Sequence, residues 1–406
     1  MRTFVIELLR EAFGVRGACF RFRIARRLTT APASWTHSKR FAQVGCALAA
    51  LLVRGALSAP GAQSLLPIGS RVLETLEPVP PYKDGRPTAK YRLNAIDQGV
   101  VLRHGDGPGK CDYLGARDIW VFEDAGTYYM HYDAAGPTGW LAALATSKDL
   151  VHWEKKGPVL DLGKPGDADS KSASYGVTFK DGETWHMYYL GTPNVTPAPD
   201  LIPMFPYQTM KAKGQSPSGP WTKQKDVVPF RCKPGTYYSV TASPGFIVKH
   251  EGEYLMFFSA AAAPPTKRTI SIARTRNLDA PWALDPQPIV SPEEQIENTS
   301  LYYEPSCKTW FLFTNHIGVD DRGEYTDAVW VYWSRDLNHW DARHKAIVLD
   351  RKNCKWSKSC IGLPSVVKSG KRLAVLYDAP GDDRVSHMQR DIGLAWLELP
   401  LVAPPK

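Results

Sequence analysis

The stretch DIWVFEDAGTYYMHY, residues 118–132, contains two short runs of apolar, β-branched and aromatic residues on either side of a polar turn that includes Gly126. This composition is typical of a β-hairpin. Four more segments repeat the pattern, at residues 175–189, 244–258, 300–314 and 363–377. Aligned on Tyr128, Trp185, Tyr254, Trp310 and Leu373, successive copies are separated by 57, 69, 56 and 63 residues. A repeat of this length predicts an architecture built from similar supersecondary units.

A third strand and a turn that ends in tryptophan follow each of the first four copies. The turns read LATSKDLVHW, KAKGQSPSGPW, IARTRNLDAPW and VYWSRDLNHW, and they end at Trp153, Trp221, Trp282 and Trp340. No amphipathic helical stretch of about 12 residues lies between the copies, which disfavours a parallel α/β sheet. The pattern predicts an all-β fold, a five-bladed β-propeller; a pair of β-sandwiches is the alternative. Residues 91–102 read as a strand that would pair with the last blade and cover its exposed edge.

The basic charge of the chain lies mostly at its beginning. Residues 1–62 carry ten basic and two acidic side chains and so account for +8 of the total charge of +9. Residues 37–62 follow the order of a signal peptide: basic residues, an apolar run and small residues at a cleavage site. We therefore expect a secreted or periplasmic protein without stable membrane insertion; a membrane anchor and an organelle transit peptide are the alternatives. The near-neutral remainder argues against a nucleic-acid partner.

These features divide the chain into four parts. We expect a leader at 1–62, a linker at 63–89, a catalytic propeller at 90–400 and a tail at 401–406. Cys19 and Cys46 fall in the leader, and a disulfide between Cys354 and Cys360 would suit an exported protein. No CxxC pair or zinc-type histidine spacing occurs, so no metal or cofactor is expected, although a structural or channel-bound divalent cation stays open. The oligomeric state is not predicted.

Catalytic residues are expected at the beginning of each first strand, because in a propeller these strands line the central channel. The position reads Asp118, Tyr175, Pro244, Ser300 and Leu363 in the five copies. Asp118, preceded by Arg117, is the single carboxylate, and Glu297 would enter the same mouth from the fourth copy. Two carboxylates across a pocket are what glycoside hydrolysis requires, one as base or nucleophile and one as acid. The alternatives are a strand cap for Asp118 and a solvated loop residue for Glu297.

The third strands predict a second ring of side chains around the same pocket. Its members are Trp140, Tyr207, Arg268, Asp327 and Arg390. Sugars stack on aromatic faces and offer hydroxyl groups to charged hydrogen-bonding side chains, so each is a candidate for substrate contact or for a structural role. His316, followed by Glu324, and His387 lie at similar strand ends. Either histidine is a candidate acid, sugar ligand or cation ligand, or a satisfied loop-end histidine.

The five copies resemble the five-bladed propeller glycoside hydrolases, the group that contains families 32, 43 and 117. Residues 118–134 are similar to the first-blade segment of family 43, whose leading Asp is the catalytic base. The run from Glu297 to Tyr302 loosely resembles the Glu-Cys-Pro acid motif of family 32. His316 with Glu324 resembles the histidine–glutamate arrangement of family 117. The resemblance covers about residues 90–400.

The sequence also departs from these families. Ser243 stands where family 43 has its acid Glu, the modulating Asp of its second blade is replaced near Ser174 and Tyr175, and the Asn-Asp-Pro-Asn motif of family 32 is absent. The resemblance therefore implies Asp118 as general base, with Glu297 or His316 as the acid.

We expect a secreted, exo-acting glycosidase that acts on a polysaccharide or oligosaccharide. The candidate substrate-binding residues are Arg117, Trp140, Tyr175, Arg268, Glu324, Asp327, His387 and Arg390. Two alternatives stay open: a non-catalytic carbohydrate-binding propeller, and a phosphorylase like those of family 130, for which Arg268 and Arg390 would bind phosphate.

Overall fold

The computed structural model describes residues 69–75, 82–86, 88–321 and 323–405. The expected leader, its two cysteines and the first part of the linker lie outside the described residues. Within the described ranges no helix is long and apolar enough to cross a membrane. The described residues belong to one compact unit of the chain.

Short strands account for nearly all of the regular structure. The first three are β1 (Leu73–Glu74), β2 (Tyr91–Arg92) and β3 (Ile96–Leu102). A first group follows with β4 (Gly115–Asp124), β5 (Thr127–Gly136), β6 (Gly139–Ser147) and β7 (Trp153–Pro158). A second group has β8 (Ser172–Asp181), β9 (Thr184–Thr192), β10 (Tyr207–Gly214) and β11 (Thr222–Lys223). A third has β12 (Thr241–His250), β13 (Glu253–Ala262), β14 (Lys267–Thr275) and β15 (Ala283–Leu284).

The remaining strands form two more groups. One contains β16 (Ile296–Glu304), β17 (Thr309–Asp320), β18 (Gly323–Ser334) and β19 (Lys345–Asp350). The other contains β20 (Gly362–Ser369), β21 (Arg372–Ala379) and β22 (Asp391–Glu398). Two 3-10 turns, Pro108–Lys110 and Pro292–Glu294, are the only helical segments of the described ranges. The expected all-β class is confirmed.

The pairing of the described strands gives five four-stranded antiparallel units, which we number one to five. Units one to four are β4–β7, β8–β11, β12–β15 and β16–β19, and unit five is β20–β22 with β3 as its outer strand. The pairing of β3 with β22 confirms the expected closing role of residues 96–102. Tyr91–Arg92 differs from the expectation, because β2 pairs with β19 of unit four instead. Backbone hydrogen bonds join units one to three into one sheet, whereas units four and five lie in separate sheets.

The apolar side chains fill the spaces between neighbouring units. Met130 of unit one packs with Leu376 and Leu394 of unit five in one buried cluster. Phe311 and Val375 join units four and five in another. The remaining neighbours are joined in the same way, units three and four, two and three, and one and two. Each unit therefore buries its two faces against the neighbouring units, as expected for units that cannot form a core alone.

The first strand of every unit carries a β-bulge near its beginning. The register shifts after Arg117, Ser174, Ser243, Glu297 and Gly362. The next residue has a left-handed conformation in four units, with φ of 48° at Asp118, 50° at Tyr175, 62° at Asn298 and 54° at Leu363. Asn298, and not Ser300, therefore occupies the position of Asp118 in unit four. The turn between the first two strands has four residues after Glu304 in unit four and two in each other unit, which explains why the sequence alignment reached Ser300.

The expected bond between Cys354 and Cys360 is wrong, since all five described cysteines are free thiols. The Sγ atom of Cys354 lies 3.5 Å from the Tyr377 hydroxyl group, and the Sγ atom of Cys360 lies 3.4 Å from Nη2 of Arg390. The two thiols therefore have different partners, Tyr377 in β21 and Arg390 just before β22.

Serine hydroxyl groups link the first strands of neighbouring units. The amide of Val121 donates to Oγ of Ser365 at 2.9 Å, and the amide of Val366 donates to Oγ of Ser300 at 2.9 Å. Ser365→Ala should lower the free energy of unfolding by about 1–3 kcal/mol, because it leaves a buried amide without its acceptor. Ser218 is exposed, so Ser218→Ala should change the stability by less than about 0.5 kcal/mol. Urea unfolding of both variants measures the difference, and equal stabilities would contradict the prediction.

Candidate active site

One cavity of about 90 Å³ lies where the beginnings of the first and third strands meet the ends of the second strands. The candidates from the sequence that line it are Arg117, Asp118, Trp140, Tyr175, Arg268, Glu297, Glu324 and His387. With Tyr207 of the predicted second ring, which also lines the cavity, the structure brings together nine of the twelve candidate residues. Asp133, Ser174, Tyr207, Ser243, Ser259 and Asn298 add polar groups to the wall, and Leu190, Ile202, Pro203 and Phe205 add apolar ones.

Asp118 accepts hydrogen bonds at both carboxylate oxygens. Nε of Arg117 donates to Oδ2 at 2.6 Å, and Nδ2 of Asn298 donates to Oδ1 at 3.1 Å. The side chain is 15% exposed, at the left-handed position of the unit-one bulge. These contacts hold the carboxylate at the cavity wall with its oxygens as acceptors.

Arg117 connects Asp118 to two other candidates. Its Nη1 lies 2.9 Å from Nδ1 of His387, and its guanidinium carbon lies 5.3 Å from the centre of the Trp140 ring. A guanidinium group can only donate, so Nδ1 of His387 is the acceptor and the neutral ring carries its proton on Nε2. Burial and the nearby Arg117 hold the pKa of His387 well below its usual value, which agrees with a neutral ring. The pKa of Arg117 is raised by Asp118 and Asp378 although burial opposes this.

Glu297 is the second carboxylate and stands in a different environment. Burial raises its pKa to about 7, the charges of Glu324 and Asp118 add to the increase, and Arg268 and Arg117 oppose it. Its Oε2 lies 3.9 Å from Nε of Arg268, whereas Nη2 of Arg268 donates to Glu324 at 2.7 Å. Arg268 is therefore bound mainly to Glu324, and near neutral pH Glu297 retains its proton in a large share of the molecules.

Two buried carboxylates were missed by the sequence analysis, Asp133 in the cavity wall and Asp378 behind it. Asp133 accepts the amide of Tyr175, and Asp378 accepts the amide of Asp118 at 2.8 Å. Burial and the charge of Asp118 hold the pKa of Asp133 well above its usual range, and burial raises that of Asp378 to about 6. The triplet Tyr-Asp-Ala at the ends of β5 and β21 was a visible sign of them, since it recurs at the same place in the repeat.

Aromatic residues and a long connection complete the cavity. Tyr175 and Tyr207 line it, and Trp140, although only 2% exposed, also contributes to the wall. The connection 193–206 between β9 and β10 supplies Ile202, Pro203 and Phe205. It is fixed there because Nε1 of Trp140 donates to the carbonyl of Asp200 at 3.1 Å and the Tyr207 hydroxyl donates to the carbonyl of Pro203 at 2.7 Å.

His316 lies outside the cavity. It is 1% exposed, stacks on Trp330 with ring centres 4.0 Å apart, and its Nε2 lies 2.9 Å from the Tyr332 hydroxyl. Burial, Lys345 and Arg86 hold its pKa well below the usual value. The structure therefore places His316 in the interior, away from the cavity that Asp118 lines.

Asp327 and Arg390 also lie outside the cavity. The Tyr82 hydroxyl donates to Asp327 at 2.8 Å. Arg390 is 2% exposed, its Nε lies 2.9 Å from Oδ1 of Asp378, and its Nη2 donates to the carbonyl of Cys360 at 2.6 Å. Both charged groups are thus bound by protein partners, as buried charges require. The part of the chain that the structure describes holds no group of three or more His, Cys, Asp or Glu side chains placed to bind a metal ion.

The comparisons with known proteins agree with this architecture. Residues 121–304 match the family model described as the glycosyl hydrolases family 32 N-terminal domain. No curated protein sequence matches the chain. The resemblance to propeller glycoside hydrolases stated above is confirmed by this match and by solved structures.

Three of these structures show the extent of the likeness. A complex of BT0996 and RGII has a TM-score of 0.59 at 15% identity, over 77% of this protein and 95% of the other. Zg3597, a family 117 glycoside hydrolase produced by the marine bacterium Zobellia galactanivorans, has a TM-score of 0.54 at 14% identity, over 75% and 91%. A thermostable family-43 glycoside hydrolase has a TM-score of 0.52 at 14% identity, over 72% and 96%. At these identities the likeness concerns the fold.

The raised pKa of Glu297 predicts a pH-dependent contribution to stability. The native state keeps the proton up to about pH 7, whereas the unfolded chain releases it near the usual value of about 4.3. Between these two values stability falls as pH rises, by roughly 2–3 kcal/mol from this group. Glu297→Gln should remove that fall, so the variant should gain stability relative to the parent between pH 4.5 and 7. Urea unfolding at both pH values tests this, and parallel curves for the two proteins would contradict it.

Proposed function

We propose that this chain is a glycoside hydrolase that cleaves its substrate in the cavity between Asp118 and Glu297. The observation that supports this most is the difference between the two carboxylates. Asp118 accepts hydrogen bonds at both oxygens, whereas burial keeps a proton on Glu297 up to about pH 7. An acceptor and a proton donor in one pocket are the pair that glycoside hydrolysis needs.

In this proposal the five units are the blades of a five-bladed propeller. The first strands contact each other in the order β4, β8, β12, β16, β20 and again β4, which supports a closed ring. The cavity then lies at one mouth of the central channel. The structural likeness to propeller glycoside hydrolases supports the same interpretation.

The proposed reaction assigns one proton transfer to each carboxylate. Glu297 donates its proton to the glycosidic oxygen as the bond to the leaving sugar breaks. Asp118 takes a proton from the attacking water as general base, and the two groups exchange protons with solvent to reset. The Nε2–H of His387 and the carboxylate of Glu324 lie on the same wall and are the proposed ligands of sugar hydroxyl groups. Tyr175 and Tyr207 offer aromatic faces to the sugar ring.

Cleavage at a chain end is the mode that the cavity favours. Its volume of about 90 Å³ leaves no room for a run of sugars, and the connection 193–206 covers one side through Pro203 and Phe205. We therefore propose an exo-acting enzyme that takes one terminal residue of a polysaccharide or oligosaccharide. A phosphorylase is less well supported, since Arg390 is bound to Asp378 outside the cavity and Arg268 is bound to Glu324.

Secretion or export to the periplasm remains part of the proposal. Its support is the basic, then apolar, then small-residue order of residues 37–62. N-terminal sequencing of the protein recovered from the outside of expressing cells tests it, and an uncleaved chain retained in the cytoplasm would contradict it.

Asp118→Asn and Glu297→Gln should each reduce kcat by about 10²–10⁴-fold, because each removes one proton-transfer group. In the parent the rate should fall above about pH 7 as Glu297 loses its proton. The measurement is sugar release from a panel of plant and algal glycans, with Asp161→Asn as the control, since Asp161 is an exposed carboxylate outside the cavity. Full activity in Asp118→Asn would contradict the proposal, and binding of a glycan without release would favour a non-catalytic propeller.

An uncharged sugar should be preferred over a uronic acid. Both guanidinium groups of the cavity are already bound to carboxylates, Arg117 to Asp118 and Arg268 to Glu324. A further carboxylate would lie close to like charges, which is unfavourable in a partly buried site. In pairs of nitrophenyl glycosides that differ only at C6, kcat/KM should be at least about tenfold higher for the neutral member, or about 1.4 kcal/mol. A uronide that reacts faster than its neutral partner would contradict this.

A further inference from the structure

The peptide N–H of Asp118 makes a bond that is separate from the contacts of its side chain. It donates to Oδ2 of Asp378 at 2.8 Å. Asp378 is fully buried, and its Oδ1 lies 2.9 Å from Nε of Arg390. Asp378 does not line the cavity, so it reaches Asp118 only through the backbone.

The same bond recurs between other neighbouring units. Asp133 accepts the amide of Tyr175. Oγ of Ser259 accepts the amide of Asn298 at 3.0 Å, and Oδ1 of Asn315 accepts the amide of Leu363 at 3.3 Å. In every case a side chain near the end of the second strand binds the left-handed residue of the next unit.

Unit three provides an internal comparison. The residue at the bulge position is Pro244, which has no N–H, and the second strand of unit two places Leu190, which has no acceptor, at the matching position. Pro244 is not among the residues with a left-handed conformation. The bond and the left-handed residue are present together in units one, two, four and five, and both are absent in unit three. Since a non-glycine residue adopts this conformation only at an energetic cost, the bond offsets part of that cost.

We propose that Asp378 is a positioning residue for Asp118, with Arg390 as its counterion. This inference rests on the proposed function for its effect on turnover. By holding the amide of Asp118, Asp378 fixes the left-handed turn that points the carboxylate at Nε of Arg117 and Nδ2 of Asn298. Arg390 offsets the repulsion between the two carboxylates and is itself fixed by the carbonyl of Cys360. Arg390 thus supports the general base instead of binding the sugar.

Two variants separate the acceptor from the charge. Asp378→Asn keeps an oxygen that can accept the amide of Asp118. The double variant Asp378→Leu with Arg390→Met removes the acceptor and its counterion together, and leucine is the residue that unit two has at this position. Replacing both members of a buried ion pair by apolar residues of similar size commonly preserves folding, which thermal unfolding checks.

The first measurement is amide hydrogen exchange by mass spectrometry, which needs no substrate. Peptides that contain Asp118 should exchange at least tenfold faster in the double variant and at the parent rate in Asp378→Asn. Asn315→Leu is the matched control, because it removes the equivalent acceptor for Leu363. It should speed exchange at Leu363 and leave the Asp118 peptide unchanged.

The second measurement is steady-state kinetics on the glycan that the parent releases fastest in the panel. The double variant should lose at least tenfold in kcat with KM within about threefold, and Asp378→Asn should recover most of that loss. Parent-like exchange at Asp118 in the double variant, or an equal loss of kcat in both variants, would overturn the proposal. A parent that cleaves no glycan refutes the proposed function alone, because exchange still decides whether Asp378 holds the amide of Asp118.

Discussion

The geometry of the cavity depends on one repeated interaction, the hydrogen bond from a left-handed residue of one first strand to a buried side chain of the preceding unit. At Asp118 the acceptor is Asp378, and at Tyr175 it is Asp133. Because donor and acceptor belong to different units, the packing between units and the direction of the cavity side chains are set together. A change in the contact between two units therefore alters the site as well as the stability.

The strands could be predicted from the sequence because their period-two patterns and turn residues are local. The repeat of residues 118–132 predicted five hairpins, and each is present. Candidates were also identified by their position at the beginning of a first strand. Asp118 is one of them, and it lines the cavity because this position follows from the same local pattern. The bulge could not be predicted, because one extra residue changes the register without changing the apolar pattern. The placement of Ser300 where Asn298 stands has another cause, the first turn of unit four, which is two residues longer than in the other units.

The candidates that lie outside the cavity do so for a reason that is not local. Arg390 precedes β22, and its side chain turns inward to Asp378. His316 follows a buried run of β17 and stacks on Trp330. Whether a polar residue at a strand end faces a channel or the interior depends on a partner that is distant in sequence. A buried charge or imidazole needs such a partner, and only the folded structure shows where it lies.

The two proposed catalytic carboxylates occupy different places in the equivalent bulges of units one and four. Arg117 and Glu297 stand at the first place, and Asp118 and Asn298 at the second, left-handed place. Unit one thus presents a cation followed by an acid, and unit four an acid followed by an amide. The cation of unit one and the amide of unit four both donate to Asp118, whereas the nearest guanidinium to Glu297 is bound to Glu324. The two carboxylates are thus offset by one residue in equivalent bulges. Because of this offset, Asp118 accepts hydrogen bonds at both oxygens, whereas Glu297 keeps its proton.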